Sequence, residues 1–387
     1  MTAASATRSS RYSNLVAAVA TVACCDVAFG LTLQLLPLLM EEQGISASLM
    51  GANAAMGPIG ILLAGPLLPR IVAKYGAKPV TYTVLTVLIL SLLAFKLMPS
   101  IWLWFPLRFF FGVAAGALFT VSEALVLTST DDHNRGRIMS LYTTVLAVTF
   151  SVGPLIVPWT GIHGWLPWVI GAVFVTMAAM PLAFVNVSAD AFKQEDGGGF
   201  FKFIAKAPLL LAAVAVVTLF DNVFISFFSI FGMRSGLELD VASTILGVGI
   251  IGNVLFFYPM GMLADHWSRM GVVVVSAALT VVLALSLIWL INTWLIWPAV
   301  VLLSASAFGV YVVALAIMGD RFKGADLVSG SAAFAMMWGI GGLAGPPIAG
   351  VLIDTFGINA MPVTLAGFYL VLLIGLAITK GQLVRAT

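Results

Sequence analysis

Charge is scarce in this sequence. Asp, Glu, Lys and Arg together make up 9% of its 387 residues, where a soluble domain carries about 25%. So few solvated side chains cannot cover a water-facing surface, which excludes an ordinary soluble fold. The net charge of +2 comes without a basic run or patch, so nothing could neutralise a phosphate backbone and nucleic acid is not an expected partner. Cysteine is nearly absent. Cys24 and Cys25 stand side by side, too few and too close for a disulfide framework or a zinc site. His133, His163 and His266 show no metal-ligand spacing, so neither metal nor cofactor is expected. No P-loop and no nucleophile–base pair can be read, so the chain is not expected to be an enzyme or to be driven directly by ATP.

What the sequence has instead is long apolar runs; 61% of it is hydrophobic. A span needs about 20 apolar residues at about 1.5 Å each. Runs of that length fall near 14–40, 47–69, 79–98, 101–128, 137–158 and 165–186, then near 208–232, 241–264, 271–291, 294–318, 327–353 and 359–379. The first continues past Cys25 to Met40, too long for the apolar region of a secretory signal. The expected fold is an all-α integral membrane protein with twelve transmembrane helices in two six-helix bundles. The bundles are placed at 1–190 and 208–387, and the charged, glycine-rich stretch 191–207 is read as a cytoplasmic linker.

The positive charges set the expected topology. With the N-terminus inside, fifteen of the eighteen Lys and Arg residues fall in cytoplasmic segments, and Lys96, Arg108 and Arg234 remain. This one-sidedness predicts a multi-pass protein of the inner (plasma) membrane with both termini cytoplasmic. The halves also echo each other. Gly65 to Arg70 has a counterpart in Gly261 to Asp265, Gly153-Pro154 in Gly345-Pro346, and Asp26 in Asp221. Each pair is about half a chain apart, as in a parallel duplication about an axis along the membrane normal.

With these residues the sequence resembles the major facilitator superfamily over essentially its whole length. The loop motif of that family, Gly-x-x-x-Asp followed by basic residues around a Gly, is met by Gly261, Asp265, Arg269 and Gly271 after the eighth span. After the second span Pro69 stands where the Asp belongs, with Arg70, Lys74, Gly76 and Lys78 following. Arg108-x-x-x-Gly112-x-x-x-Gly116 resembles the fourth-helix motif, whose arginine the family links to proton coupling. Glu123, the run Asn134 to Arg137 and Tyr142 resemble a YcaD-like branch. The antiporter motif is met in part at Gly153-Pro154, and more closely at Gly341 to Gly350 on the eleventh span. The resemblance implies a monomeric secondary transporter working by alternating access.

Charges inside spans are the candidate machinery, because an ionisable residue there costs roughly 2.5–3.5 kcal/mol on insertion scales and marks a pathway. Asp26, Arg108, Asp221 and Glu123 are the expected proton-coupling set; a carboxyl alternately wet and sealed loads and releases a proton. Asp26, Gly30 and Gln34 share one helical stripe. Phe29, Gln34, Phe119, Asn222, Phe224, Tyr311 and Trp338 are the expected substrate-binding residues. Arg70, Arg135, Arg137, Asp265 and Arg269 are expected at a cytoplasmic gate, with Glu123 able to pair there. Gly247-Val248-Gly249-Ile250-Ile251-Gly252 fits a dinucleotide pattern but lies within a span, outside the βαβ unit that pattern requires. Gly112/Gly116 and Gly341/Gly345 predict close helix packing. The expected activity is proton-coupled export of small amphipathic or cationic organic molecules. The alternative is proton-coupled import of a small polar metabolite.

Overall fold

The computed structural model describes residues 3–130, 135–183, 200–323 and 325–379. They form thirteen α-helices and no strand: α1 (Ala3–Glu42), α2 (Ala47–Tyr75), α3 (Ala77–Leu97), α4 (Ile101–Ser129), α5 (Arg135–Thr160), α6 (Leu166–Ala183), α7 (Phe200–Lys206), α8 (Pro208–Arg234), α9 (Leu239–His266), α10 (Arg269–Leu290), α11 (Ile296–Arg321), α12 (Ala325–Phe356) and α13 (Ala360–Ile378). In lipid every backbone N–H and C=O must be satisfied within its own segment, which is why such apolar runs become helices. Among the described residues eleven helices are long and apolar enough to span a bilayer, and α6 adds a shorter apolar one over Leu166–Pro181. Leu90, Trp102, Trp159, Trp289, Trp294 and Val371 are exposed, as lipid-facing positions are.

Two compact units divide the chain. The first holds residues 1–35 and 56–195, the second 36–55 and 196–387. The tip of the α1–α2 hairpin therefore packs with the second unit, and Pro37 and Pro58 lie close to the two crossing points.

Apolar helices gain little by hiding from equally apolar lipid, so their association rests on close contact between backbones. In the first unit a Cβ on Gly112 would lie 2.2 Å from the Gly57 carbonyl oxygen, and one on Gly116 2.9 Å from Ile61 Cα, so α4 is pressed on α2. Gly153 of α5 meets Gly30 and Leu31 of α1 as closely. In the second unit a Cβ on Gly341 would lie 2.2 Å from Thr218 Oγ1 and one on Gly345 2.9 Å from the Leu219 carbonyl oxygen, pressing α12 on α8. The packing read from Gly112/Gly116 and Gly341/Gly345 is thus present. The paired Gly-Pro motifs also do the same work in each half, seating the fifth span on the first and the eleventh on the seventh.

The stretch read as a linker ends in structure. Helix α7 is seated on the second unit by Phe203, 1% exposed, whose ring contacts Phe322 at 4.8 Å and fills the space beside Gly330. Lys206 Nζ donates to both carboxylate oxygens of Asp326 at 2.7 and 2.8 Å.

Candidate functional site

In the first unit α1 carries Asp26 at an enclosed position, 3% exposed. The hydrogen bond that reaches its carboxylate among the described residues is long, 3.4 Å from Thr149 Oγ1. That hydroxyl also lies 2.9 Å from the Val145 carbonyl, the better acceptor by distance. Asp26 is therefore sealed but weakly held. Gly30, four residues on, is pressed against the Phe150 carbonyl, so the stripe is closed there; Gln34, one turn further, is buried too. Arg108 on α4 is 2% exposed. Its guanidinium stays inside the protein and does not extend to the surface from the helix end. Glu123 lies near the other end of α4, with an exposed side chain.

Phe29 stacks on Phe111 with centroids 5.9 Å apart and meets Phe119 and Phe150 edge-on. Between Phe29, Phe111, Phe119, Cys25 and Leu88 lies an apolar cavity of about 10 Å³. That is about one water's worth of space, so these rings pack on each other and do not enclose room for a cargo.

In the second unit Asp221 and Asn222 of α8 are half-buried. Asn222 Nδ2 donates to the Thr218 carbonyl at 2.9 Å, back along its own helix. Phe224 is 1% exposed in a ladder with Phe220 and Phe228. Tyr311 and Trp338 come together, 5.9 Å apart and edge-on. Phe308 joins both and also Phe257, and Tyr311 meets Phe334. Phe257, Tyr311 and Trp338 are half-buried. Of the expected binding residues, Tyr311 and Trp338 share one half-buried group, as Phe29 and Phe119 do in the first unit. Phe257 and Phe308 are not visible in the sequence as members, because their partners lie on other helices.

At one end of the second unit, Arg269 at the start of α10 pairs with Asp265 of α9 at 3.6 Å and, more closely, with Asp320 of α11. Ser268 caps α10 by accepting from Gly271 N at 3.1 Å, which fixes the tight turn that presents Arg269. The expected Asp265/Arg269 pair is present, and Asp320 is its unforeseen third member. Arg70 is exposed in the first unit. The side chains of Arg135 and Arg137 lie outside the described residues.

A second charge cluster was not foreseen. Arg234 at the end of α8 grips Glu41 at the end of α1 through two hydrogen bonds, Nε to Oε1 at 2.6 Å and Nη2 to Oε2 at 2.7 Å. Asp354 at the end of α12 accepts from the backbone N–H groups of Ala47 and Ser48 at 2.9 and 2.8 Å and from the Ser48 hydroxyl. It thereby satisfies two of the donors that the start of α2 leaves without a partner in their own helix. Below these contacts a Cβ on Gly51 would lie 2.2 Å from the Pro346 carbonyl oxygen, and one on Gly350 2.2 Å from that of Ala47. Gly44, Gly236 and Gly357, with φ of 69°, 101° and 85°, turn the chain after α1, α8 and α12, where left-handed backbone favours glycine. All these residues belong to the second compact unit. An acid at the end of one span and an arginine nearly two hundred residues on carry no local signal that they meet.

The profile of the Major Facilitator Superfamily matches residues 18–316 and again 242–381. The chain is 25% identical over 359 residues to the uncharacterized MFS-type transporter YfkF of Bacillus subtilis (strain 168), covering 89% of this chain and 91% of that one. To the uncharacterized MFS-type transporter YcaD of Escherichia coli O17:K52:H18 it is 24% identical over 353 residues, with 90% and 91% covered. The fold is similar to the crystal structure of the nucleoside transporter NupG, with a TM-score of 0.75 at 15% identity over 96% of this chain and 98% of that one. It is also similar to a bacterial homolog of the human lysosomal transporter Spinster, with a TM-score of 0.72 at 12% identity over 96% of each chain. This multi-pass membrane protein belongs to the Major Facilitator Superfamily, in its YcaD-like group.

Proposed function

We propose that the chain is a proton-coupled secondary transporter that exports small amphipathic or cationic organic molecules by alternating access. The observation that carries this reading is Asp26, a carboxyl group 3% exposed in the middle of a span and held, among the described residues, by a single long hydrogen bond. A carboxylate sealed so loosely is poised to take up a proton when closed and lose it when wet. Arg108, buried in the same unit, supplies a fixed positive charge that changes the balance between the two protonation states. Asp221 is a second acid for the relay, and Glu123 a proton exit near the end of α4. The bundles are taken as 1–190 and 208–387, acting as a monomer in the plasma membrane with both termini cytoplasmic, which the distribution of Lys and Arg supports.

Transport of ethidium by proteoliposomes under an imposed pH gradient tests the reading. Asp26→Asn should abolish gradient-driven accumulation while leaving exchange of ethidium against ethidium in place. Full pH-driven accumulation by Asp26→Asn would remove Asp26 from the mechanism. Orientation of accumulation relative to the acidic compartment separates export from the import alternative.

A further inference from the structure

The second unit holds a polar pair that its own helices leave unused. Asn253 of α9 is 5% exposed and Ser304 of α11 is 1% exposed, yet neither Asn253 Oδ1 nor Ser304 Oγ makes a hydrogen bond among the described residues. Several other buried hydroxyls are satisfied within their own helix. Thr32, Thr81, Ser91, Thr280, Ser306 and Thr364 each turn their hydroxyl back to a carbonyl three or four residues earlier. Ser304 has the same option and does not take it. An unsatisfied polar group in a dry interior costs about 1–3 kcal/mol, a large penalty to retain twice in one place.

The register of α9 against α11 sets the two residues level on neighbouring helices. Phe257 of α9 meets Phe308 of α11, and Gly261 meets Val312; continuing this register one turn back sets Asn253 against Ser304. Gly249, a turn earlier on α9, agrees with it: a Cβ there would lie 3.4 Å from Ser304 Oγ. One helical turn on from the polar pair stand Phe257 and Phe308, with Tyr311 and Trp338 beside them. Half-buried ring faces therefore adjoin two buried oxygens.

We infer that Asn253, Ser304 and the adjoining rings of Phe257, Phe308 and Trp338 form a cargo subsite for a neutral, planar aromatic molecule bearing an N–H or O–H donor at its edge. The rings take the apolar face. Asn253 Oδ1, which can only accept, takes the donor, and Ser304 Oγ accepts or donates to a neighbouring atom. No side chain in the group is charged, so a fixed positive charge on the cargo gains nothing here. The inference rests on the transport reading above and narrows its cargo to molecules with a hydrogen-bonding edge.

The matched pair 7-hydroxycoumarin and 7-methoxycoumarin tests it, since the second keeps the ring and lacks the donor. Binding is measured at pH 6, with the hydroxyl protonated, by tryptophan quenching on the full chain in detergent. The wild type should bind the hydroxy compound roughly tenfold more tightly, one hydrogen bond's worth. Ser304→Ala and Asn253→Leu should each bring that ratio toward one without weakening 7-methoxycoumarin, and Asn253→Leu should melt no lower than wild type. Ser304→Ala, which deletes one oxygen, decides the matter if Asn253→Leu does not insert. An unchanged ratio in the variants, or no binding of either compound to the wild type, overturns the subsite. Donor-dependent binding without gradient-driven movement of 7-hydroxycoumarin in proteoliposomes would instead sink the transport reading and leave the subsite standing.

Discussion

Arg108 shows how much a single side chain can cost a membrane protein. A charged residue at the middle of a span is disfavoured by roughly 2.5–3.5 kcal/mol on insertion scales, and Arg108 is kept 2% exposed where no snorkelling can relieve it. An apolar side chain of similar length would cost less to insert there. Arg108→Ala should therefore insert and purify as well as the wild type, yet lose at least tenfold in gradient-driven ethidium transport. A transport rate equal to wild type would show that the guanidinium is a packing element only. At the same scale, Arg234 and Glu41 are partly exposed, so their paired hydrogen bonds are worth about 1 kcal/mol. Arg234→Ala should lower the melting temperature only slightly.

Helix pairs set the next scale, and their contacts are unevenly legible. Glycines at four-residue spacing, such as Gly112/Gly116 and Gly341/Gly345, announce a smooth face in the sequence itself, and both faces are used. Gly51 and Gly350 give no such notice, because each matters only for what lies opposite it on another helix. A Cβ at either would enter a carbonyl of the other helix at 2.2 Å. Gly350→Val should destabilise the protein by about 1–3 kcal/mol, as overpacked cores are, read as a fall in melting temperature. Gly367→Ala, where a Cβ would meet nothing within 4 Å, is the control and should melt like the wild type. Asp354→Asn keeps one of the two oxygens that accept from the Ala47 and Ser48 amides and should cost less than Asp354→Ala. Equal losses in the two variants would show that the carboxylate acts through charge alone.

For the molecule as a whole, the sequence was most readable where the bilayer imposes a rule. Span length follows from a constraint that acts locally, and the echo of Gly153-Pro154 in Gly345-Pro346 can be read by laying one half of the sequence on the other. Asp26 and Arg108 were legible for the same reason: a charge amid apolar residues stands out in one dimension. Asn253 and Ser304 were not, since a lone Asn or Ser in a span is ordinary, and whether it finds a partner is decided between helices. Asp320 and Asp354 escaped likewise, lying at span ends where acids are expected anyway. The topology has its own test. Reporters fused after Thr387 and before Met1 should both be active as cytoplasmic fusions, and activity on opposite sides would overturn an even number of crossings.

The docking of α7 bears on how the polypeptide could be cut in two. Phe203 and Lys206 make residues 200–206 part of the later half's framework, whatever the composition of the stretch before them. A split gene whose second open reading frame begins at Phe200 should yield a fragment that co-assembles with its complement. One beginning at Pro208 would leave Phe322 and the flank of Gly330 bare and should be degraded.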